Sequence, residues 1–238
     1  RHRKIPCPAG TQSPSDPVGQ QYMTINHHPS DETLMRRASG TLSAGPALVV
    51  SVHLEGCTVC RNRMANFEAI GGAILDEMPP APLAADLFGR TMERLEVAQP
   101  LQARDRPTIK HPELGLELPR AMQDCEVGPW KWLGPGFQWS KVKIAGSPDA
   151  KVMLLKGRAG LHLPAHGHTG LEFMQILSGS LLDERGRYFP GDLDEAGDDV
   201  DHRPVVGHES DCVCLAALEG DTRLHGFLGR LLRPFVGF

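Results

Sequence analysis

Residues 160–179 read GLHLPAHGHTGLEFMQILSG and contain the pattern G-x5-H-x-H-x3-E-x6-G. The residues of this pattern that can bind a metal are His166, His168 and Glu172. Because alternate residues of a β-strand point to the same side, His166 and His168 would face one side of a strand. Glu172 has the same parity and would enter on the next strand. Two imidazoles and a carboxylate that converge in this way can bind a divalent transition metal ion.

The spacing resembles the first motif of the cupin family at every fixed position, so we expect a metal-binding β-barrel of the cupin type, an RmlC-like jelly roll. The second cupin motif occurs in a looser form. Pro190-Gly191-Asp192 predicts a turn, and His202, from a later strand, would complete a set of three imidazoles and one carboxylate. His202 lies further from the turn than the strict motif requires, and no Asn follows it. The alternative is a cupin without a working metal site.

The sequence around this segment also predicts strands. Residues 130–132 and 137–144 flank Gly134-Pro135-Gly136 and predict a hairpin. Further short strands are predicted at residues 152–155, 172–177, 181–183 and 212–217. Many short strands with Gly, Pro and Asp turns favour a β-sandwich or barrel. On the last strand, Cys212 and Cys214 share one face, and we expect buried structural thiols, with redox sensing as the alternative.

The region before the strands has helical periodicity instead. Helices are predicted at residues 31–39, 44–54, 57–78 and 83–95, the first of them capped by Ser30. The third places Met64, Phe67, Ile70, Ile74 and Met78 on one face. Prolines at positions 79, 80 and 82 end it. A helical half and a β half predict an α+β protein with two domains.

Proline-rich segments mark the predicted boundaries. Residues 1–22 are predicted to be a disordered tail, and Met23 could be the natural start. Residues 23–97 would form the helical domain, residues 98–115 an extended linker, and residues 116–238 the cupin domain.

A second set of metal ligands lies in the helical region, where residues 52–60 read VHLEGCTVC. His53, Cys57 and Cys60 form the pattern H-x3-C-x2-C, with neighbours about one helical turn apart. The N-terminus of the third helix would favour the thiolate form of the cysteines. Thiolates with an imidazole select Zn²⁺, and a structural zinc site needs four ligands. The fourth could be His28 or His27.

Two other interpretations of the cysteine pair remain open. A thioredoxin-like dithiol has the same C-x2-C spacing, but it usually follows a β-strand and an aromatic residue, whereas a helix and His53 precede Cys57 here. The thiols could also be buried and inert. His27 and His28, taken alone, would be solvated turn residues.

Charge and hydropathy argue against several classes of protein. The net charge is -4 and the isoelectric point about 6.3, which argues against direct nucleic-acid binding, because that usually needs a basic face. No apolar run approaches the roughly 18 residues of a membrane span. Pro6, Pro8 and Gly10 lie where a signal peptide would be apolar. We therefore expect a cytoplasmic protein.

With both metal motifs identified, the chain resembles the ChrR-type zinc anti-sigma factors from residue 23 onward. The resemblance includes residues 23–31, the motif of His53, Cys57 and Cys60, residues 211–217 and residues 232–235. It implies that His28 is the fourth zinc ligand. It also implies that the helical domain clamps an ECF-type sigma factor, and that the cupin domain binds a second metal, zinc in the family.

The same resemblance implies that an oxidative signal releases the sigma factor, through the Cys57 and Cys60 thiolates or a ligand change at the cupin metal. The alternative is a metal-dependent cupin enzyme, a dioxygenase or isomerase, which would use Mn, Fe or Ni at an open coordination position. We expect a regulator and not an enzyme. Cupins often pair, so a homodimer is a further expectation.

Overall fold

The computed structural model describes residues 24–97, 110–111, 115–220 and 222–224. The predicted tail at residues 1–22, most of the predicted linker and the closing segment at residues 232–235 lie outside the described residues. The described chain begins with four helices and continues as antiparallel β-structure. This order confirms the α+β fold class.

The four helices follow the predicted ones closely. They are α1 (Asp31–Ala38), α2 (Ala44–Gly56), α3 (Thr58–Glu77) and α4 (Leu87–Val97). Ser30 caps α1 as expected, because its Oγ accepts a hydrogen bond from Thr33 N at 3.2 Å. The predicted start of the fourth helix was wrong by four residues. The first α-helical hydrogen bond runs from Arg90 N to Asp86 O at 3.1 Å, so the helix begins after Asp86 and not at Leu83.

Within the described residues, the β-structure has fourteen strands and one short 3-10 helix, η1 (Arg120–Met122). The strands are β1 (Lys110–His111), β2 (Leu116–Glu117), β3 (Cys125–Val127), β4 (Lys131–Gly134), β5 (Phe137–Ile144), β6 (Ser147–Gly157), β7 (His166–His168), β8 (Glu172–Ser178), β9 (Leu181–Asp183), β10 (Gly186–Tyr188), β11 (Leu193–Ala196), β12 (Val205–Val206), β13 (Cys212–Leu218) and β14 (Thr222–Leu224). The largest sheet has the order β11-β8-β13-β6-β5-β3, with β4 also paired to β5 in the predicted hairpin. A second sheet has the order β10-β9-β12, and β14 pairs with β7.

Alternate residues of the central strands enter two different apolar cores. On β13, Cys212 and Cys214 pack with Met174 of β8 inside the barrel. Leu215 and Ala217 belong to a second core on the outer face of the sheet. Because successive side chains of a strand point to opposite faces, a strand that is buried on both faces is apolar without alternation.

Helix α2 covers the outer face of the large sheet. It packs on β6, β8 and β13, and it also contacts α1 and α3. A Cβ atom on Gly45 would lie 3.0 Å from the Val152 side chain, so glycine allows close approach of the helix to the sheet. The helical and β parts therefore share a core, and the predicted division into two domains is not a division into two separate cores.

Helices α3 and α4 are exposed along most of their length. Met64 is buried and Phe67 is partly buried, but every described residue from Glu68 to Glu96 is exposed. The face that the periodicity predicts on α3 is therefore packed only in its first part. None of the helices in the described part of the chain is long and apolar enough to span a membrane.

The last glycine of the opening motif has a steric role. Gly179 has a φ of 73°, and a Cβ there would lie 2.3 Å from Asp211 O. We expect Gly179→Ala to lower the free energy of unfolding by about 3 kcal/mol, because the alanine meets both the left-handed backbone and the Asp211 carbonyl. Gly146 has a φ of 77°, but a Cβ there would lie more than 4 Å from any neighbouring atom of the described chain. Gly146→Ala should therefore cost only about 1 kcal/mol. Equal urea midpoints for the two variants would contradict this prediction.

Candidate metal centres

The first candidate centre lies where the segment before α1 meets the junction of α2 and α3. His28 Nδ1 is 3.4 Å from the Sγ atoms of both Cys57 and Cys60, and His53 Nε2 is 3.3 Å from Cys60 Sγ. Local structure explains this arrangement. His53 is in the last turn of α2, Cys57 is the N-cap of α3, and Cys60 lies in the first turn of α3. The structure thus selects His28 from the two candidates.

His27 has a different role. Its ring centroid lies 4.3 Å from that of Tyr188, and its Nδ1 is 3.4 Å from Asp192 Oδ2. The backbone of this segment is held by the barrel, because Asp192 Oδ1 accepts hydrogen bonds from Asn26 N and His27 N. These contacts fix the position of the neighbouring His28.

The geometry of this centre fits a zinc ion. Ligands about 2.3 Å (S) and 2.0 Å (N) from a tetrahedral Zn²⁺ lie about 3.5 Å from one another, close to the distances between His28, His53, Cys57 and Cys60. These four residues therefore form a possible zinc site.

Without a cation, burial favours the neutral forms of His53 and Cys60 in this centre. Burial and the nearby His28 lower the pKa of His53 to about 4, which leaves an imidazole free to act as a ligand. Burial, with the adjoining Cys57, raises the pKa of Cys60 to about 12. The expectation that the helix N-terminus would favour a thiolate was therefore wrong for Cys60, where burial dominates. A bound cation would reverse this preference and stabilise the thiolate.

One candidate zinc ligand of the helices, His53, contacts the barrel directly. His53 Nδ1 lies 3.0 Å from the Gly191 carbonyl and 3.3 Å from Gln175 Oε1. A proton on Nδ1 would bond these acceptors and leave Nε2 free for the metal. Gln175 is a partner of His53 that was not predicted from the sequence. Its one available signal was a buried polar residue in the otherwise apolar strand β8.

The second candidate centre lies inside the barrel, with ligands from three segments. His166 and His168 lie on β7, Glu172 begins β8 as predicted, and His202 pairs with His166 through an isolated bridge. His202 Nε2 is 3.0 Å from His166 Nε2, 3.4 Å from His168 Nε2 and 3.6 Å from Glu172 Oε2. The long spacing from the Pro-Gly turn to His202 therefore does not prevent convergence.

The donor set inside the barrel fits a divalent metal. Nitrogen and oxygen ligands that bind one ion at about 2.0–2.2 Å lie about 3.0–3.6 Å apart, as these atoms do. Burial by itself would raise the pKa of Glu172, but the His168 and His202 imidazoles hold it well below its usual value. Although burial lowers it, hydrogen bonds to Asp183 and Glu172 raise the pKa of His202 to about 9. The Glu172 carboxylate therefore favours a positively charged group beside it.

The remaining candidate residues lie outside both centres. His162 is exposed and forms an isolated antiparallel β-bridge with Val205. Burial raises the pKa of Cys212 to about 12 and that of Cys214 well above its usual value, which agrees with structural thiols. Trp132 is exposed, and Lys131 Nζ lies 5.2 Å from the centroid of a Trp139 ring.

The chain is similar to known proteins in sequence and in structure. The sequence profile of the ChrR Cupin-like domain matches residues 119–220. The anti-sigma-E factor ChrR of Cereibacter sphaeroides is 34% identical over 215 residues, which cover 90% of this chain and 99% of that protein. The chain belongs to the ChrR family of anti-sigma factors. The family assignment confirms the predicted cupin-like fold of the C-terminal part.

A solved structure of the ChrR family supports the same assignment. In the crystal structure of Rhodobacter sphaeroides SigE in complex with the anti-sigma ChrR, the matching chain is 33% identical to this one, with a TM-score of 0.66. The match covers 82% of this chain and 100% of that chain. The named relatives are regulators, in agreement with the prediction that this chain is not an enzyme.

Proposed function

We propose that this chain is a zinc-binding anti-sigma factor that sequesters an ECF-type sigma factor in the cytoplasm and releases it on an oxidative signal sensed with the cupin domain. In this proposal residues 23–97 bind the sigma factor, residues 98–115 link the two domains, and residues 116–238 sense the signal. His28, His53, Cys57 and Cys60 would hold a zinc ion. His166, His168, Glu172 and His202 would hold a second ion, zinc or alternatively Mn, Fe or Ni.

The observation that best supports sigma binding is the exposed apolar surface of α3 and α4. We call this the helical apolar surface. Its members, with their exposed fractions, are Ile70 (57%), Ile74 (59%), Leu75 (67%), Met78 (60%), Leu83 (77%), Leu87 (37%), Phe88 (78%), Met92 (44%) and Leu95 (62%). These large exposed apolar side chains lie on α3, on α4 and on the segment between them. So many exposed apolar side chains in one segment favour a protein-binding site, because water contact with them is unfavourable.

The charge of the same segment suits a sigma factor as the occupant. Acidic side chains outnumber basic ones between residues 68 and 96, where they are Glu68, Asp76, Glu77, Asp86, Glu93 and Glu96 against Arg90 and Arg94. Sigma factors bind DNA, and DNA-binding surfaces are basic. An acidic, apolar pair of helices would complement and cover such a surface.

The zinc centre connects this surface to the rest of the protein. Cys57 and Cys60 begin α3, and His28 and His53 come from the segment before α1 and from α2. A zinc ion would supply a cross-link between these three segments and contribute to folding free energy. The orientation of α3 relative to α2 would then depend on the four ligands.

We expect the double substitution Phe88→Ser and Leu95→Ser to weaken sigma binding by at least about 100-fold, because buried aromatic and apolar anchors dominate interfaces. Metal content and thermal stability should stay unchanged, since both side chains are exposed in this chain. Trp132→Ser is the matched control, because Trp132 is a large exposed apolar residue (71%) on the barrel. Affinity would be measured by titration of the full-length chain with the sigma factor. Unchanged affinity in the double variant would contradict the proposed surface.

A further inference from the structure

A group of charged side chains lies behind His202, on the side away from the barrel metal centre. Asp183 and Asp194 are nearly buried, with side-chain exposures of 2% and 6%. Asp183 Oδ2 is 3.4 Å from His202 Nδ1. The Nδ1 atom faces this group, while the Nε2 atom of the same ring faces the other ligands.

Arg185 occupies the place that a cation would take between the two carboxylates. Its Nη2 atom is 2.7 Å from Asp183 Oδ2 and 2.6 Å from Asp194 Oδ2. Asp183, Asp194 and His202 have the composition of a metal site, but the guanidinium already neutralises the carboxylates. The group is therefore an ion-paired support and not a third metal centre.

Asp183 is held rigidly by its other contacts. Its Oδ1 accepts hydrogen bonds from the backbone N–H groups of Arg185 at 2.8 Å and Gly186 at 3.1 Å. Its Oδ2 also accepts a hydrogen bond from Arg185 Nε at 3.0 Å. Both oxygens are thus fixed, and the position of Oδ2 relative to the His202 ring is set by the tight turn between β9 and β10.

Two tautomers of His202 compete in this environment. Arg185 Nη2 lies 3.2 Å from His202 Nδ1. If Arg185 donates a hydrogen bond to Nδ1, then Nδ1 carries no proton and the proton of the neutral ring is on Nε2. A proton on Nε2 excludes metal binding there. If Nδ1 carries the proton instead, it donates to Asp183, and the Nε2 lone pair faces the ligand cluster.

The geometry points to Asp183 as a positioning residue for the barrel metal: it selects the Nδ1-protonated tautomer of His202 and so presents Nε2 to the ion, while Arg185 and Asp194 hold Asp183 in place. This inference rests on the metal site of the proposed function. It is independent of sigma binding. Of the other two imidazoles, His166 Nδ1 faces a neutral backbone carbonyl, that of Pro164, at 2.9 Å, and His168 Nδ1 has no hydrogen-bond partner among the described residues.

The test compares full-length Asp183→Asn and Asp183→Glu chains with the unsubstituted chain. Asparagine keeps the size of the side chain and can accept through its oxygen, but it has no charge and can offer an N–H to His202 Nδ1 instead. Glu209→Gln is the matched control. Glu209 forms an ion pair at 2.7 Å with Arg187, which lies in the same β9–β10 hairpin as Asp183. Glu209 does not contact the metal ligands.

Metal binding is measured by chelator competition with Zn²⁺ and by absorption of the Co²⁺-loaded chain. The cysteine-containing centre gives a thiolate-to-cobalt charge-transfer band, which the barrel centre lacks, so the two ions are distinguished. We expect Asp183→Asn to lower barrel affinity about 10–100-fold and to change the barrel cobalt spectrum, with the charge-transfer band intact. Asp183→Glu should restore part of the affinity, and Glu209→Gln should change nothing. In the Zn²⁺-loaded chain, ¹⁵N NMR should show the proton of His202 on Nδ1.

Three results would overturn the inference, for different reasons. If Asp183→Asn binds the barrel metal with unchanged affinity and spectrum, the positioning role is wrong although the metal site stands. If the unsubstituted chain binds no ion in the barrel, both the metal site and the role of Asp183 are wrong. A proton on His202 Nε2 in the loaded chain would also contradict the proposed role.

Discussion

Cys57→Ser is expected to remove zinc from the helical centre and to abolish sigma binding. Cys57 is both a candidate ligand and the N-cap of α3, and its Sγ lies 3.4 Å from His28 Nδ1. Structural zinc sites contribute on the order of 10 kcal/mol to folding in small zinc domains, so loss of a ligand should release α3 from α2 and disorder the helical apolar surface. Zinc content by mass spectrometry and sigma binding by titration would be measured on the same sample.

The matched control for this prediction is Cys125→Ser. Cys125 is a partly buried free cysteine that lies outside both metal centres. Its substitution should leave zinc content and sigma affinity unchanged. Retention of both zinc and sigma binding by the Cys57→Ser chain would contradict the proposed zinc site.

His53→Ala is a less selective test than the sequence pattern indicates. The sequence predicts that loss of His53 unfolds the helical half and leaves the cupin folded. In the structure His53 is buried and its Nδ1 faces Gly191 and Gln175 of the barrel. Substitution by alanine would therefore also leave a cavity between α2 and the large sheet. Cys57→Ser separates the two effects better.

The second large effect is expected from the barrel ligands. We expect His168→Ala and Glu172→Gln to lose the barrel metal and the oxidative release of the sigma factor, while sigma binding itself is retained. Both side chains are buried in the barrel, whereas the helical apolar surface lies on α3 and α4. Removal of one partner from a buried charged cluster leaves the others uncompensated, so the site should not retain its ion. Release would be followed by dissociation of a preformed complex after exposure to singlet oxygen or organic peroxide.

His162→Ala is the control for the barrel variants. His162 precedes strand β7, which carries His168, and it is exposed and outside the cluster of barrel ligands. The His162→Ala chain should therefore keep both the barrel metal and the oxidative response. Normal oxidative release by the His168→Ala chain would show that the barrel metal does not take part in sensing.

Strand β11 contacts both the charged group behind His202 and the start of α1. Asp194 bonds Arg185 behind His202. The next residue, Glu195, accepts hydrogen bonds from Ser30 and Thr33 at the start of α1. Because adjacent residues of a strand face opposite sides, a shift of β11 would move both sets of contacts. This arrangement is consistent with communication between the barrel and the helices.

Most of the candidate metal ligands can be grouped from the sequence because their spacing is local. His53, Cys57 and Cys60 lie close together in sequence at the junction of α2 and α3, and His166, His168 and Glu172 follow from strand parity. The partners that orient these ligands were not predicted. Gln175 and Asp183 are distant in sequence from the rings they face, His53 and His202, and only the folded topology brings them together.

The helical periodicity of α3 had a similar limit. It identified an apolar face correctly, but periodicity does not show what covers that face. Met64 is buried within this chain, whereas Ile70, Ile74 and Met78 are exposed. Likewise, the apolar composition of α2 did not show that the helix covers the outer face of the large sheet.

The most direct test of the anti-sigma proposal is co-purification of the full-length chain with an ECF-type sigma factor of the same organism, with metals quantified in the same sample. We predict an equimolar complex that contains one zinc ion for the cysteine-histidine centre and one metal ion for the barrel centre. Failure to form a complex, together with iron or manganese in the barrel, would contradict the anti-sigma proposal and favour a metal-dependent cupin enzyme.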